Sequence, residues 1–234
     1  MGWLTPEEWG AVRLSLEVAL RSVAMGLPPA ILAAWLLARA RFPGRPLLDA
    51  LVHLPLVMPP VVVGWLLLVT FGVRGPIGAV LNEWFGVRLV FTTEGASLAT
   101  AVMAFPLIVR AVRLSLESVD TGLEAAARTL GAGPLDRFAT ITLPLMAPGI
   151  LAGGITAFAA GLGEFGAVIT FASNIPGETQ TLPLAIYAAT QTPGGEATAA
   201  RLALVSFALA VGGLLLAEAV ARRMWRLLGR AAPS

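Results

Sequence analysis

The sequence of 234 residues contains no cysteine, no lysine and a single histidine, His53. Without cysteine the chain has no disulfide, thiol nucleophile or cysteine metal site, and one histidine does not make a metal cluster. Without lysine it has no Walker A loop, because that loop needs a lysine on the nucleotide phosphates. The chain is therefore not a P-loop ATPase by itself, and we expect it to hold no cofactor or metal of its own.

Charge is also scarce. Charged residues make up 13% of the chain and hydrophobic residues 57%, whereas soluble domains carry about 25% charged and about 45–50% apolar residues. A soluble domain of this size has too much surface to hide so many apolar side chains. The net charge of only +2 indicates no nucleic-acid partner. The composition predicts an integral membrane protein.

Five apolar stretches are long enough to cross a bilayer, which takes about 20 residues of helix. They occupy residues 14–38, 47–71, 96–112, 150–171 and 202–221. Two connections carry a further apolar segment, 77–85 and 181–187, and we expect each to form a helix too short to span. The sequence therefore predicts an all-α fold with five transmembrane helices, located in the cytoplasmic membrane.

Arginine residues concentrate in alternate connections, as they do in cytoplasmic loops. One set of connections, with the C-terminal tail, holds Arg39, Arg41, Arg45, Arg110, Arg113, Arg128, Arg137, Arg222, Arg223, Arg226 and Arg230. The opposite loops hold Arg74 and Arg88. This bias predicts an N-terminus outside and a C-terminus inside.

The connection between the third and fourth spans is the most informative segment. Thr121 and Glu124 have the spacing of a capping box, Gly131 stands where a helix-ending glycine belongs, and Pro134 starts a second short helix. Apolar side chains form one narrow stripe on the first helix: Leu123, Ala127 and Leu130. Such a helix either fits a groove on a partner protein or lies on the membrane surface, and the pattern favours neither.

This segment resembles the cytoplasmic motif of permease subunits of ABC importers. In that motif Glu-Ala-Ala is followed after three residues by glycine and after nine more by Ile-x-Leu-Pro, and counting from Gly131 reproduces the spacing, with Glu124 one residue early. Glu124 therefore either contacts the ATPase, as the family's glutamate does, or only caps its own helix. The resemblance implies a set of ATPase-coupling residues: Leu123, Glu124, Ala125, Ala126, Ala127, Leu130, Gly131, Ile141, Leu143 and Pro144.

Other segments resemble the molybdate permeases in particular, namely residues 41–44, 53–64, 163–167, 173–179 and 191–196. Sulfate permeases are similar around 163–167 and 181–183, so the oxyanion class is better defined than the ion. The resemblance implies a type I ABC importer permease fold in one domain, 1–234, with its core at about 11–222 and a cytoplasmic coupling loop at 117–147. It also implies a permease homodimer, a dimer of separate ATPase subunits that hold ATP and Mg, and an extracytoplasmic oxyanion-binding protein.

Several residues are candidates for the transport pathway. Glu164 lies inside the fourth predicted span, where a carboxylate is costly and functional by default. The interpretation we favour is structural: a bond to neighbouring helices or to backbone freed by the adjacent glycines. Pro55, Pro59 and Pro60 interrupt the second span, either as a packing kink or as opened backbone along the pathway.

Polar residues near the ends of the spans have simpler explanations as well. Ser173 and Asn174 supply a hydroxyl and an amide at the outer mouth, where they suit an oxyanion, binding-protein docking or plain hydration. Packing is the favoured role for His53, and contact with the membrane interface is favoured for Arg110 and Arg113.

We therefore expect the non-catalytic membrane subunit of an ATP-driven importer of molybdate or tungstate. The alternatives are a sulfate-type oxyanion permease and, less favoured, a proton-coupled carrier built around Glu164. An intramembrane enzyme is disfavoured because the chain lacks cysteine and paired acids and has a single histidine.

Overall fold

The computed structural model describes residues 3–227, and in this part of the chain four long helices form the frame: α1 (Pro6–Arg39), α5 (Thr93–Glu117), α8 (Leu143–Leu162) and α11 (Glu196–Leu227). Helices α2 (Arg45–Val57) and α3 (Pro60–Phe71) form a bent pair. The shorter segments are α4 (Pro76–Phe85), α6 (Thr121–Thr129), α7 (Pro134–Arg137), a π-helical turn (Phe138–Thr142), α9 (Gly166–Phe171) and α10 (Leu182–Thr190). Arg230 of the predicted basic tail lies outside the described residues.

Within residues 3–227, four helical segments are long and apolar enough to cross a membrane: α1, α5, Pro134–Leu162 and Glu196–Val220. Helices α2 and α3 pass the same test together, although the chain bends by 116° between them. Counting that pair as one span gives five, in agreement with the sequence-based prediction. The two short helices predicted in the other connections are present as α4 and α10.

The start of α1 follows local sequence rules. Thr5 Oγ1 accepts a hydrogen bond from the Glu8 N–H at 3.2 Å, and Glu8 Oε2 accepts one from the Thr5 N–H at 2.7 Å. This is a complete capping box. Glu8 is also buried, and its other oxygen pairs with Arg201 of α11 at 2.7 Å. A buried carboxylate needs such a partner, so the same residue begins α1 and ties it to α11.

Helix α5 is the central helix and packs against both α1 and α8. Its fully buried side chains Ile108, Val109, Val112 and Leu116 form a core cluster with residues of both neighbours. Gly149 permits the close approach of α8, because a Cβ at that position would overlap the side chain of Ser115. Small residues at helix crossings let backbones meet in this way.

Two predicted spans are not continuous helices. The fourth does not run to residue 171 as predicted, because α8 ends at Leu162 and α9 begins only at Gly166. In the second, Pro55 lies inside α2 and the break falls between α2 and α3, where Pro60 is the first residue of the new helix. Proline suits a first helical position because its missing N–H has no partner there.

The two breaks meet in the folded protein. A Cβ on Gly166 would lie 2.7 Å from Pro60 Cβ, and one on Gly64 would lie 2.7 Å from the Ala167 carbonyl oxygen. Helices α3 and α9 therefore touch through glycines. Gly166 at the start of α9 and Gly64 in α3 thus permit the close contact between the two broken spans.

Candidate coupling surface and transport pathway

Helix α6 begins at a different cap from the predicted one. Asp120 is the N-cap, and its Oδ1 accepts a hydrogen bond from the Gly122 N–H at 2.8 Å. Thr121 is already the first helical residue. The predicted capping box of Thr121 and Glu124 is therefore wrong. Aspartate is among the best N-cap residues, and the carboxylate of Glu124 is engaged elsewhere.

The end of α6 is the predicted one. Gly131 has a φ of +86°, in the left-handed region. Its N–H bonds to the Arg128 carbonyl at 3.1 Å, and the Ala132 N–H bonds to the Ala127 carbonyl at 3.0 Å. This pair of bonds is a Schellman motif, which favours glycine because other residues lose energy at positive φ.

None of the residues of α6 is buried. Leu123 is exposed, Leu130 is 87% exposed, and Leu135 of α7 is 84% exposed. Ala125 and Ala126 are exposed too, whereas Ala127, which belongs to the predicted stripe, is half-buried. Of the remaining motif residues, Ile141 is half-buried, and Leu143 and Pro144 are exposed where the chain enters α8. The loop thus presents large apolar side chains to its surroundings.

The side chain of Glu124 points back towards the protein. Its Oε1 accepts a hydrogen bond from Thr142 Oγ1 at 2.8 Å and lies 3.5 Å from Arg39 Nη2. Glu124 therefore does not cap its own helix, whereas its contact with the ATPase stays a prediction. The sequence did not reveal Arg39 and Thr142 as partners of Glu124. Arg39 served only as one of the arginines that predict the orientation in the membrane, and Thr142 occupies the variable position of Ile-x-Leu-Pro.

An apolar groove of about 450 Å³ lies between α1 and the coupling loop. Helix α1 lines it with Ile31, Leu32 and Trp35, and the loop lines it with Leu135 and Phe138. Glu124 and Thr142 stand at the same groove. The loop therefore reaches the transmembrane helices through an apolar groove and a polar contact beside it.

Glu164 lies in the break between α8 and α9 and caps α9. Its Oε1 accepts a hydrogen bond from the Ala167 N–H at 2.9 Å, which satisfies one of the free backbone donors of a helix start. The contact of Pro60 with Gly166 brings the first residue of α3 close to this cap. The structure thus gathers Pro60 and Glu164 in one region, with Pro59 exposed just before α3.

Ser173 and Asn174 lie beyond the other end of α9. Ser173 has a φ of +67°, and its carbonyl accepts a hydrogen bond from Thr179 Oγ1 at 3.1 Å. Thr179 is fully buried and also accepts a bond from the Ile175 N–H at 2.9 Å. Asn174 Oδ1 is buried without a partner among the described residues. The loop is internally bonded, and α9 separates it from Glu164.

A charged cluster connects α2 with α5. Arg113 pairs with Asp49 at 3.0 Å and with Glu117 at 2.9 Å, and His53 Nδ1 lies 2.9 Å from the Asp49 carbonyl oxygen. Partly exposed pairs of this kind contribute little stability. The nearby Arg110 is exposed. The contacts of His53 fit the packing role favoured from the sequence. Arg113 is held in two ion pairs, and the contact with the membrane interface favoured for it stays a prediction.

Comparison with known proteins identifies the family. Residues 26–226 match the family described as binding-protein-dependent transport system inner membrane component. The molybdenum transport system permease protein ModB of Escherichia coli is 59% identical over 227 residues, covering 97% of this chain and 99% of that protein. The chain belongs to this family of importer permeases. It is accordingly a non-catalytic inner-membrane subunit of an ABC importer, in which a separate ATPase hydrolyses ATP and a binding protein delivers the substrate.

Two proteins less similar than ModB share the sequence or the fold of this permease. The sulfate transport system permease protein CysT of Salmonella typhimurium is 42% identical over 157 residues, covering 67% of this chain and 56% of that protein. The permease also superimposes with a TM-score of 0.71 on a chain of a bacterial alginate ABC transporter, solved in complex with an alginate pentasaccharide-bound periplasmic protein. That chain is 18% identical, with 99% of this permease and 82% of that chain covered, so the likeness concerns the fold.

Proposed function

We propose that this permease carries molybdate, and tungstate as an ion of the same class, into the cytoplasm. Two copies form the pathway on a dimer of ATPase subunits, which hold ATP and Mg, and an extracytoplasmic oxyanion-binding protein supplies the substrate. The 59% identity to the molybdenum permease over nearly the whole length is the observation that carries the substrate assignment.

The coupling surface consists of the exposed side chains of α6. Its apolar members, Leu123 and the C-cap residue Leu130, fit a groove on the ATPase, and the exposed alanines allow close backbone approach. This requires the loop to face the cytoplasm, in agreement with the arginine distribution. When ATP closes the ATPase dimer, α6 moves with it and the two permease copies rock between outward and inward openings.

Deletion of residues 121–131 tests the coupling surface. The deleted permease is expected to insert into the membrane and to lose co-purification with its ATPase. A complex that survives the deletion would show that another surface binds the ATPase.

Uptake into proteoliposomes tests the substrate. The permease, its ATPase and its binding protein are reconstituted together, and labelled molybdate is offered with unlabelled molybdate, tungstate or sulfate in excess. We expect tungstate to compete and sulfate to compete much less. Equal competition by sulfate would favour a sulfate-type permease, the alternative that the Salmonella relative supports.

A proton-coupled carrier built on Glu164 is less consistent with the contacts. Its carboxylate already accepts a backbone bond that caps α9, which is a structural use of the charge. Uptake driven by a proton gradient in the absence of ATP would support the carrier.

A further inference from the structure

One carboxylate joins α6 to the transmembrane helices. The side chain of Glu124 is 29% exposed and that of its partner Arg39 is 20% exposed, although each neighbour of Glu124 in α6 is exposed. None of the residues of α6 is buried, and Glu124 and Ala127 are its two half-buried residues. The side chain of Glu124 therefore supplies the hydrogen bond and the ion pair between this helix and the rest of the permease.

Arg39 extends the contact to two transmembrane helices. It is the last residue of α1, and its Nη2 donates to the carbonyl oxygens of Leu116 at 3.3 Å and Val119 at 3.4 Å. These carbonyls lie at the C-terminal end of α5, where a cation is favourable. The same Nη2 faces Glu124 at 3.5 Å. One guanidinium thus connects α1, α5 and α6.

Thr142 extends the contact to α8. It is 3% exposed, it ends the π-helical turn, and it donates to Glu124 Oε1 at 2.8 Å. The next residue, Leu143, begins α8. A π turn inside a helical run is rare and is frequent at functional sites. The carboxylate therefore contacts the residue that immediately precedes α8.

We propose that Glu124 is a positioning residue that transmits the movement of α6 to α1, α5 and α8 through Arg39 and Thr142. We call these three residues the latch. The inference rests on the proposed function, since it assumes that the ATPase moves α6. The latch works as a unit because charge-assisted contacts are stronger than neutral ones. The side chains that face the ATPase are different ones, so the latch separates transmission from docking.

Reconstituted complexes of the permease, its ATPase and its binding protein test the latch. Oxyanion uptake and ATP hydrolysis are measured on the same proteoliposomes, for whichever oxyanion the wild-type complex carries. Glu124→Gln is expected to bind the ATPase like the wild type and to lower uptake per ATP hydrolysed by roughly ten-fold, because a bond to a charged group is lost. The double variant Glu124→Gln with Arg39→Gln is expected to be no worse than Glu124→Gln alone, as for residues that act together.

Glu117→Gln is the matched control. It removes a carboxylate that pairs with Arg113 within α5 alone, so the ratio of uptake to hydrolysis is expected to stay at the wild-type value. Two variants of Thr142 test the same contact without a change of charge. Thr142→Val removes the hydroxyl and is expected to lower the ratio of uptake to hydrolysis. Thr142→Ser keeps the hydroxyl and is expected to keep the wild-type ratio. This pair tests the latch even if Glu124→Gln fails to fold.

Three results would overturn the proposal. The first is a wild-type ratio in Glu124→Gln. The second is loss of ATPase binding in that variant, which would make Glu124 a docking residue. The third is an equal fall in Thr142→Val and Thr142→Ser. A wild-type complex that transports sulfate as well as molybdate would contradict the substrate assignment and leave the comparison of variants intact.

Discussion

Two nine-residue helices occupy connections at opposite ends of α1, and they are built differently. Helix α10 buries Leu182, Leu184 and Ala185, and the Leu182 N–H donates to Ser15 Oγ of α1 at 2.6 Å. Helix α6 buries none of its residues, is followed by the exposed C-cap residue Leu130, and contacts Arg39, the last residue of α1, through the Glu124 carboxylate. The apolar side chains of α10 thus stabilise the permease, while those of α6 are free for a partner.

The largest expected effect concerns the buried side of this comparison. Leu184→Ala removes a fully buried side chain and should lower the free energy of unfolding by about 3 kcal/mol, through lost packing and a cavity. Unfolding of the purified permease in detergent measures it. Leu130→Ala is the counterpart and should change stability by less than about 0.5 kcal/mol. Equal losses in the two variants would abolish the distinction between the helices.

The next effect concerns the exposed side. Leu130→Ala should weaken ATPase binding about ten-fold, as expected for an apolar anchor at the centre of an interface. Titration of the permease with its ATPase in detergent measures the affinity. Leu20→Ala is the control, because Leu20 is similarly exposed but lies on α1. If both variants bound the ATPase like the wild type, α6 would not be the docking helix.

A smaller effect is expected at the end of α6. Gly131→Ala places a side chain at a φ of +86°, which costs about 1 kcal/mol and should weaken ATPase binding about five-fold by unwinding the last turn. Gly133→Ala is the matched control, since the φ of Gly133 is −69° and an added Cβ at either glycine meets nothing within 4 Å. A similar loss in both variants would point to lost flexibility in place of backbone strain.

The smallest effect separates the two possible caps of α6. Asp120→Ala should weaken ATPase binding about three-fold, at the low end of what an N-cap contributes, and Thr121→Ala should leave the affinity unchanged. The same titration measures both. The reverse order would restore the capping box predicted from Thr121 and Glu124.

Features set by neighbours within a few residues were predictable. The helix end at Gly131 and the helix start at Pro134 are confirmed, and the capping box of Thr5 and Glu8 obeys the same kind of local rule. Each depends on bonds between a side chain or backbone group and residues at most five positions away. The family was also accessible, because the spacing from Gly131 to Pro144 is a property of the sequence alone.

Features set by distant residues were not predictable. The partners of Glu124 come from the end of α1 and the start of α8, and no spacing in the chain reveals that these meet. The break between α8 and α9 lies where Gly166 packs against Pro60, and Glu164 caps the start of α9. Hydropathy alone describes that region as one continuous apolar stretch.

The sequence by itself determined that the protein lies in a lipid bilayer, how many apolar stretches it has and where several helices end. Hydrophobicity is a sum over the residues of a stretch, and the hydrogen bonds at a helix end join residues that are close in sequence. Only the tertiary structure decided which loop helix is buried, where two spans break and which way Glu124 points. These depend on which surfaces meet. Packing of α5 between α1 and α8 brings Arg39 and Thr142 to the carboxylate of Glu124. The side chain of Glu124 therefore points towards the transmembrane helices.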